Sequence, residues 1–301
     1  MALIHNSNSM ELRKFSENNQ SSFLHHQKGM IKLDWFREPH SVSIFIQDSQ
    51  DQNVDINLLK DFLIKTCKLK VTENHYTNED FIILVGTDSF NLNISLLFQN
   101  IDTPPILSLS PKKKGFISFL DFKEFSIYIP QILRGNCWIM PRSRLEITYK
   151  SLQGKQRLCV LNDVSVNRDP SGGSLILNCS CNQFGFSQIN GDGIIIATPT
   201  GSTAYNKGAG GALVHPLLPV FQLTPICALS LSARPILFPH TAILTISIAN
   251  QNGTKKEQQK AYLSFDGQKH IQFNPGEELI ISLSTHTYNS IMMNKSVGEW
   301  P

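Results

Sequence analysis

Residues Phe81-Ile-Ile-Leu-Val85 are uninterrupted apolar positions, and Gly86-Thr87-Asp88-Ser89 follow at once. A strand apolar on both faces needs cover on both sides, which places it in a parallel sheet layered by helices. The flanking sequence agrees. Val42–Ile46 reads as a strand, and Asp55 is placed to cap a helix in which Leu59, Phe62, Leu63 and Cys67 recur at helical spacing. Pro105–Leu109 is a further short strand. Asp121 starts a second helix carrying Phe122, Phe125, Ile129, Ile132 and Leu133 inward, which stops at Gly135-Asn136. Pro130 lies inside it and predicts a kink or early break. Strand, helix, strand, strand, helix is α/β layering.

The pattern changes after Trp138. Short strand candidates follow at Arg144–Lys150, Leu158–Val166, Leu175–Cys179, Gly193–Ala197, Ala242–Ile248, Tyr262–Phe265 and Leu279–Leu283. Turn signals separate them, among them Asp169-Pro-Ser-Gly-Gly173, Asn252-Gly253, Asp266-Gly267 and Asn274-Pro-Gly276. The expected organisation is α/β + β. Residues 1–32 form a loosely ordered tail rich in Asn, Ser, Gln and His, and 33–138 an N-terminal α/β, Rossmann-like domain. Residues 139–283 form a C-terminal mainly-β domain. For the closing segment 284–301, packing back on the N-terminal domain is one expectation.

Bulk properties narrow the function classes. A chain of 301 residues accommodates two domains, each with its own core. A net charge of +3, with Lys112–Lys114 as the only basic run, gives no nucleic-acid footprint. The six cysteines are scattered, without the paired spacing of a zinc site, and read as reduced thiols of a cytoplasmic protein. A mitochondrial presequence is the alternative for the tail. No apolar stretch approaches the roughly 20 residues that cross a bilayer, so no membrane partner is expected.

Three stretches carry candidate chemistry. Gly86, Thr87, Asp88 and Ser89 follow a parallel strand at its C-terminal end, where such sheets bind ligands. The glycine suits close phosphate approach, and the carboxylate suits proton acceptance or Mg²⁺. The other reading is an Asp-Ser turn that caps the next helix. Asn162-Asp163 sets an amide beside a carboxylate, and both reach one ligand only at a strand end or bulge. The other reading is a polar strand end. Gly191–Pro216, GDGIIIATPTGSTAYNKGAGGALVHP, gathers the hydroxyls of Thr198, Thr200, Ser202 and Thr203 around Gly201 and ends in the stacking face of Tyr205. The other reading is a Thr/Gly turn into a small-residue helix. His215 reads as structural.

The last stretch strongly resembles the signature of the ATP-dependent NAD kinases, in an order closest to the eukaryotic branch. The similarity continues through Leu223–Pro239 and Ser264–Gly267. Upstream, PRSRLEI, LNDVSV and FQNIDTPPILSLSPKKKGFISFLDF resemble other segments of that family, so the likeness spans about 33–283. The resemblance implies an NAD kinase fold, a dimer or tetramer, and transfer of the ATP γ-phosphoryl group to the 2′-hydroxyl of the adenosine ribose of NAD, giving NADP. It implies Asp88 as the catalytic carboxylate. Phe116, Asn162, Asp163, Asp192, Thr200, Thr203, Ala204 and Tyr205 would hold NAD. Gly86, Thr87 and Ser89 would face the ATP phosphates. It implies Mg²⁺ with ATP, no tightly bound prosthetic group and no dedicated metal residue. The chain also departs from the family. Gly-Gly-Asp-Gly-Thr is here Gly86-Thr87-Asp88-Ser89-Phe90, and Asn-Glu is Asn162-Asp163. A loop that needed positive φ, or phosphate contact at Cβ distance, at either position would be obstructed by Thr87 or Ser89. The alternative function is a catalytically impaired NAD(P)(H)-binding sensor or regulatory subunit.

Overall fold

The computed structural model describes residues 29–47, 54–112, 115–249 and 260–293. The expectations for most of the tail, for Lys113 and Lys114, for the Asn252-Gly253 turn and for the end of the chain lie outside the described residues. The chain divides into two compact units. One comprises Met1–Ile94, Ile101–Pro141 and Thr287–Pro301, and the other Ser95–Asn100 and Arg142–His286.

The first unit opens with β1 (Ile31–Lys32) and β2 (Ser41–Ile46). Helix α1 (Ile56–Asp61) follows, started by the Asp55 carboxylate accepting from the Leu58 amide, and runs on as a wider turn over Phe62–Thr66. Next come β3 (Lys70–Glu73), β4 (Phe81–Val85), α2 (Asp88–Ser95), β5 (Ile106–Ser110) and β6 (Leu120–Asp121). The expected helix from Asp121 begins as a tight turn over Phe122–Glu124 and continues as α3 (Phe125–Leu133). Pro130 does not end it. Phe125, Ile129 and Ile132 are buried along one face, and that burial outweighs the one backbone hydrogen bond a proline forfeits. Strand β7 (Trp138–Arg142) closes the stretch.

The second unit is a pair of antiparallel sheets sharing one apolar core. Its strands are β8 (Leu145–Ser151), β9 (Gly154–Val160), β10 (Asp163–Arg168), β11 (Leu175–Cys181), β12 (Phe184–Gly191), β13 (Gly193–Ala197), β14 (Val220–Ile226), β15 (Ile236–Pro239), β16 (Leu244–Ile248), β17 (Ala261–Phe265), β18 (Lys269–Phe273) and β19 (Glu278–Leu283). One sheet runs β15-β14-β13-β10-β17-β18 and the other β12-β11-β16-β19-β8-β9. Alternate residues face inward, as period-2 strands require: Val164 and Val166, Ile194 and Ile196, Leu145 and Ile147, Leu279 and Ile281. The expected single strand Leu158–Val166 is two strands. Strand β9 belongs to one sheet and β10 to the other, and the chain changes sheets at Leu161-Asn162.

The chain then returns to the first unit. Strand β20 (Tyr288–Met292) enters the sheet β1-β7-β20-β5-β4-β2-β3, with β6 paired to β5. Strands β2, β3, β4 and β5 are parallel, and every residue of β4 and β5 is buried.

Candidate active site

In the first unit, β4 ends at Val85 and the Gly86 amide donates to the Leu109 carbonyl at 3.0 Å. The Thr87 amide and hydroxyl both donate to Gln47 Oε1, at 2.9 and 3.0 Å. Helix α2 starts at Asp88, yet the carboxylate does not serve that helix. It accepts the amides of Phe116 at 2.7 Å, Ile117 at 3.0 Å and Ser118 at 2.8 Å. Three successive N–H groups converging on one anion form a backbone nest. They fill three of the carboxylate's roughly four lone-pair positions and leave about one for a further donor. Gly115 makes the approach possible, because a Cβ there would lie 2.3 Å from Asp88 Oδ1.

Asn91 locks this loop from beneath. Its amide nitrogen donates to the Thr87 carbonyl at 3.0 Å and to Ser118 Oγ at 2.7 Å. Its oxygen accepts from Ser108 Oγ and from the Tyr288 hydroxyl, each at 2.6 Å. The fully buried amide thus uses all four of its hydrogen-bonding positions. Neither Thr87 nor Ser89 has positive φ, so neither exchange from glycine forces the left-handed region. The Phe90 ring edge lies against Gly86, and Thr87 and Ser89 are exposed.

In the second unit, the sheet change at Leu161-Asn162 is pinned from several directions. The Asp266 carboxylate accepts the amides of Leu161 at 2.9 Å, Asn162 at 2.7 Å and Asp163 at 3.0 Å. The Asp266 amide returns a bond to the Asp163 carbonyl at 3.0 Å. Thr198 takes the carbonyls: its hydroxyl donates to Leu161 O at 2.6 Å and its amide to Asn162 O at 2.9 Å. The same hydroxyl accepts the Gly201 amide at 3.0 Å, and a Cβ on Gly201 would lie 2.2 Å from Asn162 O. Asn162 Oδ1 is left buried with no partner, a free acceptor at a costly position.

The signature turn folds over its own sheet. A tight turn, Gly201–Thr203, leads through Ala204 (φ −97°, ψ −128°) into α4 (Tyr205–Gly208). Thr203 Oγ1 donates to Thr200 O at 3.2 Å, and Thr200 Oγ1 accepts from Arg142 at 3.4 Å. Buried Asn206 anchors the turn to the sheet by accepting from Thr224 Oγ1 at 2.6 Å. The Tyr205 ring is half-exposed, and its hydroxyl reaches Asn167 Oδ1 at 3.4 Å. Asp192 is paired with Arg168 at 2.6 Å, so one of its oxygens is committed within the protein. His215 accepts the Leu217 amide through Nδ1 in a local turn.

The electrostatics of this half centre on two buried carboxylates. Burial, and then the neighbouring Asp266, push Asp163 up to about 7. Burial pushes Asp266 up to about 6, opposed by the three amides it accepts and by Arg144. Arg144 is itself fully buried and donates to the carbonyls of Phe98 and His286. Burial raises the Tyr205 hydroxyl, and Asp163, Cys227 and Asp192 add to the rise.

The residues named from sequence therefore fall into two groups. Gly86, Thr87, Asp88, Ser89 and Phe116 lie in the first unit, and Asn162, Asp163, Asp192, Thr200, Thr203, Ala204 and Tyr205 in the second. Sequence reasoning missed Asn91, Gln47, the closeness of Gly115 to Asp88, and Asp266. For Asp266 a signal existed: Asp266-Gly267 reads as a hairpin turn and forms one, with φ of 50° and 68°. What the turn signal does not carry is the destination of the carboxylate.

Residues 161–293 match the family described as ATP-NAD kinase C-terminal domain. A probable chloroplastic NAD kinase 2 from Oryza sativa subsp. japonica is 31% identical over 288 residues, covering 93% of this chain and 27% of the relative. The mitochondrial NADH kinase pos5 of Schizosaccharomyces pombe is 32% identical over 222 residues, covering 73% of this chain and 56% of the relative. The chain thus spans about a quarter to a half of the length of these relatives. Yeast NADH kinase, solved with NADH, superposes with a TM-score of 0.77 at 22% identity, covering 88% of this chain and 86% of that one. An Archaeoglobus fulgidus NAD kinase, solved with ATP, gives 0.67 at 20% identity, covering 85% and 94%. The fold is that of the NAD kinases. This chain thus carries an ATP-NAD kinase C-terminal domain over 161–293 and is similar to NAD kinases along most of its length.

Proposed function

We propose that this protein is an NAD kinase. It transfers the γ-phosphoryl group of ATP to the 2′-hydroxyl of the adenosine ribose of NAD and releases NADP and ADP. The bond between the hydroxyl oxygen and the γ-phosphorus forms, the bridging bond to the β-phosphate breaks, and the hydroxyl proton passes to Asp88. The observation that carries this reading is Asp88 itself. It is retained at the C-terminal end of a parallel strand, fixed by three amides, with about one lone-pair position open to a hydroxyl. Phosphoryl transfer asks a protein mainly to position groups and neutralise charge, and a fixed carboxylate does the first.

NAD is assigned to the second unit. The orphan Asn162 oxygen accepts from the dinucleotide, Asp163 and Asp192 offer carboxylate oxygens to its hydroxyls, and Tyr205 supplies a stacking face. Thr200, Thr203 and Ala204 complete that unit's NAD-binding set, and Phe116 of the first unit is assigned to NAD as well. Gly86, Thr87 and Ser89 face the ATP phosphates. Among the described residues no group of three or more His, Cys, Asp or Glu stands together. Mg²⁺ enters with the ATP substrate and would supply charge neutralisation. The working form is a dimer or tetramer, and the six unpaired cysteines fit a reducing compartment such as the cytoplasm. Among the described residues no helix is long and apolar enough to cross a membrane.

The test is NADP formation from NAD, ATP and Mg²⁺ by the purified protein, beside Asp88→Asn. The expected result is turnover that the variant loses. NAD binding by calorimetry without turnover above a buffer control would replace the enzyme with a dinucleotide-binding regulator.

A further inference from the structure

We propose that Asp266 is the positioning residue of the NAD-binding turn: it fixes the Leu161–Asp163 backbone so that the Asn162 side-chain oxygen is presented to the dinucleotide. This rests on the NAD kinase reading above. Asn162 lies where the chain leaves one sheet for the other, so neither sheet's ladder holds its amide. Asp266 supplies the missing acceptor three times over, to Leu161, Asn162 and Asp163. Asp266 is itself buried and reaches that place in a left-handed conformation, φ 50°, set by the hairpin turn with Gly267. Thr198 holds the two carbonyls from the other side, and Gly201 leaves room beneath Asn162 O. The backbone is fully bonded on both edges while Asn162 Oδ1 remains the one buried acceptor there without a donor. A buried acceptor left open in a clamped turn is the mark of a group awaiting a ligand rather than of loose packing.

The carboxylate is required because no neutral side chain of this size accepts three amides. In Asp266→Asn the turn is preserved, since Asn tolerates left-handed φ, but one carboxylate oxygen becomes a donor facing a donor. The expected result is at least a tenfold rise in the KM for NAD and in its calorimetric Kd, with kcat at saturating NAD within about threefold of the unaltered enzyme, the pattern of lost ground-state binding. A general loss of folded protein would instead lower kcat and leave KM unchanged. That outcome, or an unchanged Kd, would overturn the proposal.

Should the variant not fold, amide exchange on the unaltered protein decides. Leu161, Asn162 and Asp163 are expected to exchange as slowly as the neighbouring β10 amides, and rapid exchange would overturn the proposal. If the unaltered protein binds no NAD at all, the functional reading falls together with this one. Turnover with an unaffected KM in the variant sinks only this one.

Discussion

Gly115→Ala is the sharpest perturbation the first unit offers. The new methyl would lie 2.3 Å from Asp88 Oδ1, 2.6 Å from Cγ and 2.7 Å from Oδ2. To restore ordinary contact the carboxylate must retreat by about 1 Å. That movement stretches three bonds of 2.7, 3.0 and 2.8 Å, and hydrogen bonds to a charged group contribute about 1.5–3 kcal/mol each. Asp88 is only partly buried, so losing one such bond, about 2 kcal/mol, is the expected cost. A domain of this size then melts lower by roughly 4–8 °C. The catalytic effect is larger than the stability effect, because a displacement of about 1 Å costs on the order of 10²-fold in rate. The assay is steady-state NADP formation, in which kcat is expected to fall about 10²-fold while the KM for NAD moves little. Gly173→Ala is the control, since a Cβ there meets nothing within 4 Å. A Gly115→Ala enzyme with unaltered kcat would refute the claim that the nest fixes a catalytic Asp88.

Other expectations follow from the second unit. Thr198→Val removes a buried hydroxyl that donates to Leu161 O and accepts from Gly201 N, and should cost about 2–4 kcal/mol in urea unfolding; a loss below about 0.5 kcal/mol would mean the turn is held without it. The buried Asp163–Asp266 pair sets a pH dependence. Both carboxyls are raised above the 3.8 of an unperturbed Asp, to about 7 and about 6, so between pH 4 and 7 the folded state binds more protons than the unfolded one. Their contribution to stability therefore declines as pH rises through that window and levels off above it. Between pH 5 and 8 the decline should amount to about 4 kcal/mol, and Asp163→Asn should remove the larger part of it. Unfolding free energy that rises across this range, unaltered by the substitution, would contradict the pairing.

Much of the fold was legible because burial writes itself into periodicity. The unbroken Phe81–Val85 run announced a parallel strand, and alternation announced the sheets of the second unit. The reading failed where local pattern and tertiary demand part company. Pro130 predicted a kink or early break, and α3 runs past it to Leu133 with its apolar face buried. Leu158–Val166 looked continuous because the apolar alternation runs through Leu161, although the chain changes sheets there. The Gly86–Ser89, Asn162-Asp163 and Gly191–Pro216 stretches stood out because hydroxyls, glycine and carboxylates are dense there, whereas Phe116, Asp192 and Ala204 were implied only by the family resemblance. Asn91 escaped, since a lone Asn in a helix carries no signal of four partners drawn from the Thr87 turn, β5, β20 and the Ser118 loop.

Read alone, the sequence specifies an α/β unit, a β unit and a turn rich in hydroxyls and glycine, because hydrophobic period and motif spacing are local properties. It also raised the concern that Thr87 and Ser89 damage the Asp88 loop. Its backbone half is answered by tertiary contacts. Backbone angles depend on what the loop packs against, and here Gln47, Asn91 and the Phe116–Ser118 amides hold it without positive φ. Where each carboxylate goes is likewise a long-range fact. Asp88 reaches a loop about thirty residues away and Asp266 a turn about a hundred residues away, and no spacing rule encodes either distance.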